Sequence, residues 1–311
     1  MNGALAPIAF FAYRRPLHAR NALRSLQRCL GADASSLFIF CDGARCDDDR
    51  AAVAAVRAVV REQRWCRRVE IVERERNLGL AASVVDGVSQ LCARYGSAIV
   101  VEDDLLLAPH FLVFLNAALG RYRDVERVMH VSAYMFPVRR DLPETFFYRA
   151  TSCWGWATWQ RAWLHFESDS AALLRRLSGH LRRYQFDVRG SAGFFDMLCE
   201  QAAGRSDSWA IRWYASVFLR SGLCLHPARA FSKNVGHDGS GIHCCATADY
   251  EVDLAPTMVS RWPAQVREER AAVRGMAAFY RRVRRAPLTD RLRRRGRELL
   301  TRWSGGGHAA R

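Results

Sequence analysis

The run Ala98-Ile99-Val100-Val101 ends in three consecutive carboxylates, Glu102, Asp103 and Asp104, and this feature constrains the fold most tightly. An unbroken apolar, mostly β-branched run reads as a strand buried on both faces, the pattern of an interior strand in a parallel sheet. The carboxylates then fall at its carboxyl end. Side by side they repel one another and are costly to desolvate, so a cation is expected to face them. Hard oxygen ligands suit Mg2+ or Mn2+ carrying a diphosphate. Leu105-Leu106-Leu107-Ala108-Pro109 follows at once, and the Ala-Pro pair reads as the start of a helix. The competing reading is a solvated acidic turn, against which the buried strand before it argues.

Upstream, strand-like and helical stretches alternate. Residues 8–13 read as a strand, and Arg14-Arg15-Pro16 leads into an amphipathic helix over 18–30. A second strand over 37–41 ends at Asp42-Gly43, followed by a helix over 50–63. A third strand over 69–72 precedes the turn Asn77-Leu78-Gly79 and a helix reaching Arg94. This alternation predicts an α/β fold with a doubly wound, mixed but mainly parallel sheet flanked by helices. Such sheets bind ligands outside the carboxyl ends of their strands, where Arg14, Asp42 and Asp103-Asp104 all fall. From about residue 128 the pattern changes to short strand-like pieces at 128–134 and 146–148, then an aromatic-rich helical region to Arg220. After Pro256 the chain is an arginine-dense helical extension that closes on Ser304-Gly305-Gly306-Gly307. The expected division is a nucleotide-binding half at 1–130, an acceptor-binding and catalytic half at 131–254, and a basic extension at 255–311.

The net charge is +16, and Lys233 is the only lysine, so arginine supplies almost all of the positive charge. Part of that bias reflects coding composition, and the rest favours acidic partners: nucleotide diphosphates, anionic lipid head groups or nucleic acid. The ten cysteines are scattered without a CxxC pair, which argues against structural zinc or a redox motif and fits a reducing cytoplasm. His243-Cys244-Cys245 offers three adjacent ligands, a poor geometry for closed tetrahedral zinc. The apolar residues 4–13 are too short to span a bilayer and lack a basic region in front, so the expectation is a soluble protein or one lying on the inner membrane face.

The block Val101-Glu102-Asp103-Asp104-Leu105 with Ala108-Pro109-His110-Phe111 resembles the acidic triplet, Ala-Pro and aromatic of the Golgi N-acetylglucosaminyltransferase I family, and the chain as a whole resembles bacterial GT-A glycosyltransferases. The resemblance implies that Asp104 binds the metal while Glu102 and Asp103 face the ribose and sugar. It also implies that Arg14 contacts the nucleotide and Asp42 reads the uracil edge of a UDP-linked donor such as UDP-GlcNAc. Asp207-Ser208-Trp209 resembles the family's Asp-x-Trp motif, which makes Asp207 the catalytic base. Gly222-Leu223-Cys224-Leu225-His226-Pro227 resembles its following strand, and Val235-Gly236-His237 its Gly-x-x-His loop, without the two-residue spacer. Cys153-Trp154-Gly155-Trp156-Ala157-Thr158-Trp159 resembles bacterial surface-sugar transferases instead.

These residues imply an inverting displacement. Asp207 would take the proton of the attacking hydroxyl, or it caps the helix that starts at Trp209; Asp196 and Glu200 are the reserve bases. The glycine-rich loop from Asn234 to His243 would close over the donor, with His237 reaching the diphosphate or the metal, or it is an ordinary surface loop. Trp154, Trp156 and Trp209 would form a platform for the acceptor, a glycan or lipid-linked glycan, or they fill the core. The basic stretch 281–297 would lie on an anionic membrane or is a solvated helix end. Three rivals remain: an arginine-rich nucleic-acid-binding protein, a glycan-binding protein without catalysis, and a sugar nucleotidyltransferase. No specific nucleic acid is expected, because the charge follows no recognisable binding motif and the most functional-looking site is acidic.

Overall fold

The computed structural model describes residues 5–239 and 247–284. β1 (Ile8–Ala12) is apolar and buried at every position. Its pleat sends Ile8, Phe10 and Ala12 into one core and Ala9 and Phe11 into the other. A strand buried on both faces needs a helical layer on each side. α1 (Pro16–Gln27) and α2 (Arg50–Val60) form one, through Leu23, Leu26, Val56 and Val59. α3 (Leu80–Tyr95) forms the other through Ala81, Val84 and Val88. β2 (Ser36–Cys41), β3 (Arg68–Glu73) and β4 (Ser97–Glu102) complete the first half.

The chain continues through β5 (Leu105–Leu107), α4 (Phe111–Arg121), β6 (Val128–Ser132), β7 (Thr145–Tyr148) and β8 (Trp156–Trp159). Five helices follow: α5 (Gln160–Trp163), α6 (Ser170–Arg176), α7 (His180–Phe186), α8 (Phe194–Ala202) and α9 (Trp209–Leu219). β9 (Leu223–Pro227), β10 (Ser232–Asn234) and α10 (Arg270–Arg284) end the described chain. The eight-stranded sheet has the order β3-β2-β1-β4-β8-β6-β9-β7. Only β8 and β7 run against the other strands, so the sheet is mixed and mainly parallel, as expected. From β1 the chain steps outward to β2 and β3, then returns to β4 on β1's other side. The topological switch point therefore lies between β1 and β4, where Arg15 and the acidic triplet meet.

The helix read from the Ala-Pro pair begins two residues later, as α4 at Phe111, and Leu105–Leu107 before it is a strand paired antiparallel with β10. One expectation is corrected: within the region read as helical to Arg220, Trp156–Trp159 forms β8, inserted antiparallel between β4 and β6. Both strands pair with segments distant in sequence, which local pattern does not reveal. The division at residue 130 falls within β6, and one sheet runs through both halves. In the C-terminal part, α10 packs Ala272, Met276, Phe279 and Tyr280 into a third core with Phe146, Tyr148 and Tyr214. The remainder of the basic extension, the Ser-Gly-Gly-Gly tail and His243-Cys244-Cys245 lie outside the described residues. No described helix is long and apolar enough to cross a membrane.

Candidate active site

Pro16 is the first residue of α1, and the residue before a proline is driven out of helical backbone. Arg15 accordingly sits at φ −115°, ψ 78°, and its carbonyl accepts the Ala19 N–H at 2.9 Å. From there its guanidinium reaches the end of β4, where Nη2 donates to Asp103 Oδ1 at 2.5 Å and Asp104 Oδ2 at 3.0 Å. Its side chain is 20% exposed and those of Asp103 and Asp104 only 7% and 11%, so these are largely desolvated ion pairs. The sequence resemblance implies a nucleotide contact for Arg14, its neighbour. Arg14 turns away and donates to Asp49 Oδ1 at 2.6 Å, and the Tyr13 hydroxyl donates to Asp49 Oδ2 at 2.5 Å. The signal that separates the two arginines is Pro16.

One guanidinium does not neutralise three carboxylates. Burial pushes Asp103 up to about 6 against the pull of Arg15, and the Asp104 charge adds to the rise. Burial, then Asp104 and Asp103, push Glu102 well above the ordinary carboxylate range. The site is short of positive charge.

A loop from across the molecule closes the site. β10 pairs with β5, and the chain beyond it docks on the triplet: Val235 N–H donates to the Asp104 carbonyl at 2.8 Å. Gly236 N–H donates to Asn234 Oδ1 at 2.7 Å. A Cβ on Gly236 would lie 2.3 Å from Asp104 Oδ2 and 3.1 Å from Arg15 Nη1, so only glycine fits. The next residue, His237, stacks on Tyr250 with centroids 5.1 Å apart and meets Trp154 edge-on at 5.2 Å. Asp238 pairs with His18 of α1 at 3.1 Å and ties the loop to the opposite wall.

Among the described residues, Asp104 Oδ1 and both ring nitrogens of His237 are buried without a hydrogen-bond partner. Buried polar atoms are ordinarily satisfied, so these atoms have capacity for a partner such as a water, an ion or a ligand group. No group of three or more His, Cys, Asp or Glu side chains is arranged to hold a metal among the described residues. Asp104 Oδ1 is the hard oxygen type that Mg2+ and Mn2+ take, and these ions use one or two carboxylates with substrate phosphates and water completing the shell.

Asp42 behaves differently from expectation. Its Oδ1 accepts Gly43 N–H at 2.9 Å and Leu78 N–H at 2.8 Å; its Oδ2 accepts Gly79 N–H and Asn77 Nδ2, both at 3.0 Å. Four bonds use the capacity of a carboxylate and leave none for a base edge. Asp42 instead holds the 77–79 turn against the end of β2. Gly43 lets the two segments touch, since a Cβ there would lie 2.5 Å from the Arg76 carbonyl carbon.

Asp207 is 62% exposed and accepts Arg212 Nη2 at 2.9 Å, while Ser208 caps α9 by accepting Ile211 N–H. The capping alternative therefore passes to Ser208. Trp209 stacks on Trp156 at 5.2 Å, and the Trp156 Cα pairs with Val100 in β4. This packs the start of α9 on the β4–β8 part of the sheet, with Asp207 exposed just before it. Trp156 and Trp209 are 0% and 4% exposed and pack in the core with Trp163 and Trp213, so neither offers a face to an acceptor. Only Trp154 of the three lines the site, beside His237. The reserve bases are surface residues: Asp196 lies 3.8 Å from Arg284, and Glu200 accepts Arg205 Nε at 2.5 Å.

No family model matches the chain, and no curated protein matches it in sequence. Among solved structures, it is similar to the mannosyltransferase PcManGT from Pyrobaculum calidifontis in complex with GDP-Man and Mn2+. That match has 12% identity and a TM-score of 0.35, and it covers 68% of this chain and 69% of that one. TarS of S. aureus matches at 12% identity and TM-score 0.39, over 73% of this chain and 36% of that one. Glucosyl-3-phosphoglycerate synthase from Mycobacterium tuberculosis, in complex with Mn2+, UDP and glucosyl-3-phosphoglycerate, matches at 14% identity and TM-score 0.29, over 42% of this chain and 43% of that one. Likenesses this slight assign neither family nor activity.

Proposed function

We propose that this chain is a GT-A-type glycosyltransferase. It moves a sugar from a nucleotide-sugar donor, UDP-linked, to a hydroxyl of a glycan or lipid-linked glycan, with inversion and with Mn2+ or Mg2+ as cofactor. The observation that carries the reading is the charge-deficient acidic triplet at the switch point, with Asp104 Oδ1 unpartnered and the loop that carries His237 seated on Asp104 through Val235 and Gly236.

In this reading Asp104 and His237 hold the metal, which when bound supplies Lewis-acid neutralisation of the departing diphosphate. Arg15 keeps Asp103 and Asp104 oriented and adds fixed positive charge at the same place. Glu102 and Asp103 face the ribose and sugar. The 234–238 loop, seated on Asp104 and latched to His18, excludes water from the donor. Asp207 accepts the proton of the acceptor hydroxyl as its oxygen bonds to the anomeric carbon and the nucleoside diphosphate leaves with the bonding pair. Arg212, now paired with Asp207, is the group the base exchanges for substrate. Trp154 packs against the transferred sugar.

The test is thermal shift with UDP, GDP and their sugar conjugates, with and without Mn2+, on the native protein and Asp104→Ala. The reading expects metal-dependent stabilisation by one nucleotide class that the variant loses. A folded protein that responds to no nucleotide, or a variant that responds equally, refutes it. Retained anomeric configuration in a single-turnover assay would overturn the role of Asp207.

A further inference from the structure

Outside this site, the surface between α6 and α8 is unusual in what it exposes. Residues 170–186 contain no acid and four arginines, Arg175, Arg176, Arg182 and Arg183. All four are exposed, as is Arg189 just beyond. Arg175 lies 3.8 Å from Asp169, and the other four make no ion pair among the described residues.

α7 is inverted relative to a surface helix. Its one buried residue is Phe186, at 0% exposure, whereas Leu181 is 69% and Tyr184 45% exposed. Leu181 and Tyr184 are three apart and share a face, and at 100° per residue that face points away from Phe186. Arg182 and Arg183 lie about 100° to either side of this ridge, toward the Phe186 side, and the Arg183 guanidinium lies 4.4 Å from the centroid of the Phe195 ring, anchored to α8. An outward apolar ridge between arginines is the arrangement of an interfacial helix, with apolar tips in the acyl boundary and guanidinium groups at phosphate level. The basic end of α10 arrives at the same lobe: Arg284 lies 3.8 Å from Asp196 and against Gly193, with Arg281 and Arg282 exposed.

We propose that the α6–α8 lobe is a membrane-docking surface that seats on an anionic bilayer, with Leu181 and Tyr184 inserted and the surrounding arginines on lipid phosphates. The lobe immediately precedes Asp207, so docking there holds the acceptor half at the lipid surface. The docking itself does not depend on the catalytic reading.

The test is co-sedimentation of the full chain with phosphatidylcholine vesicles and with vesicles containing about one third phosphatidylglycerol. The expected result is binding to the anionic vesicles only, weakening with salt. At about fivefold per arginine near the surface, Arg176→Glu/Arg182→Glu/Arg189→Glu should weaken binding by about 100-fold or more. Leu181→Ser/Tyr184→Ser should weaken it by about tenfold and remove the part that survives high salt. These residues are exposed, so unchanged melting temperatures should show that both variants fold. No binding of the native chain to anionic vesicles overturns the proposal. So does native-like binding by both variants, which would place the contact on the C-terminal arginines, and so does loss of duplex DNA binding in the triple variant without vesicle binding by the native chain.

Discussion

Replacing Arg15 with glutamine tests whether the guanidinium serves as counter-ion to the acidic triplet. Even with Arg15 present, Asp103 stands at about 6 in the folded protein, against about 3.9 unfolded. Ionised, it costs about 3 kcal/mol. Removing one partner of a buried pair costs a further 3–5 kcal/mol while the carboxylates stay charged. They can escape by taking up protons, and this fixes the sign. The folded state binds more protons than the unfolded state wherever a carboxylate's folded value is raised, so stability falls as pH rises from the unfolded value through the folded one. Losing Arg15 raises the folded value of Asp103 further, because the arginine's charge and hydrogen bond now oppose the rise. Arg15→Gln should therefore be destabilised by about 3–5 kcal/mol at pH 8 and by no more than about 1 kcal/mol at pH 5, measured by urea unfolding. Mn2+ should recover more stability in the variant than in the native protein at pH 8, because it replaces the missing charge; at 100 times its Kd the gain is about 2.7 kcal/mol. An equal loss at both pH values would refute the counter-ion argument and leave Arg15 a packing residue.

Three further outcomes follow from the geometry. Gly236→Ala places a methyl group 2.3 Å from Asp104 Oδ2; it should cost about 1–3 kcal/mol and abolish metal-dependent nucleotide stabilisation in thermal shift. Asp42→Ala removes the acceptor of the half-buried Leu78 and Gly79 N–H groups and should cost about 1–3 kcal/mol by urea unfolding, with faster amide exchange confined to the 77–79 turn. His130 donates from Nε2 to the Ser152 carbonyl and accepts Trp213 Nε1–H at Nδ1, both at 3.0 Å, so it is held neutral, and burial lowers it to about 3. A depressed histidine contributes stability above its unfolded value that is lost as pH falls, about 2 kcal/mol between pH 7 and 5. His130→Gln should be less stable at pH 7 yet flatter across that interval, and a parallel pH dependence would sink the assignment.

Much of the first half was legible because its signals are local. The apolar run 98–101, the alternation of strand and helix, and the placement of Asp42 and the triplet at strand ends all rest on periodicity and on the cost of burying adjacent charges. Tertiary structure alone decided the rest. It carried the Arg15 guanidinium across to the end of β4: Pro16 marks Arg15's backbone in the sequence, but the partners Asp103 and Asp104 meet it only in the fold. It turned Asp42 inward, because four donors from the 77–79 turn converge on it. It made Trp156 and Trp209 core residues by inserting β8 beside β4 and laying α9 across it. It brought Gly236 to Asp104 through the β5–β10 pair, whose two strands are far apart in sequence. Residue type and spacing determine which groups are costly to bury; which partner meets each of them depends on contacts between distant segments, and those exist only in the folded chain.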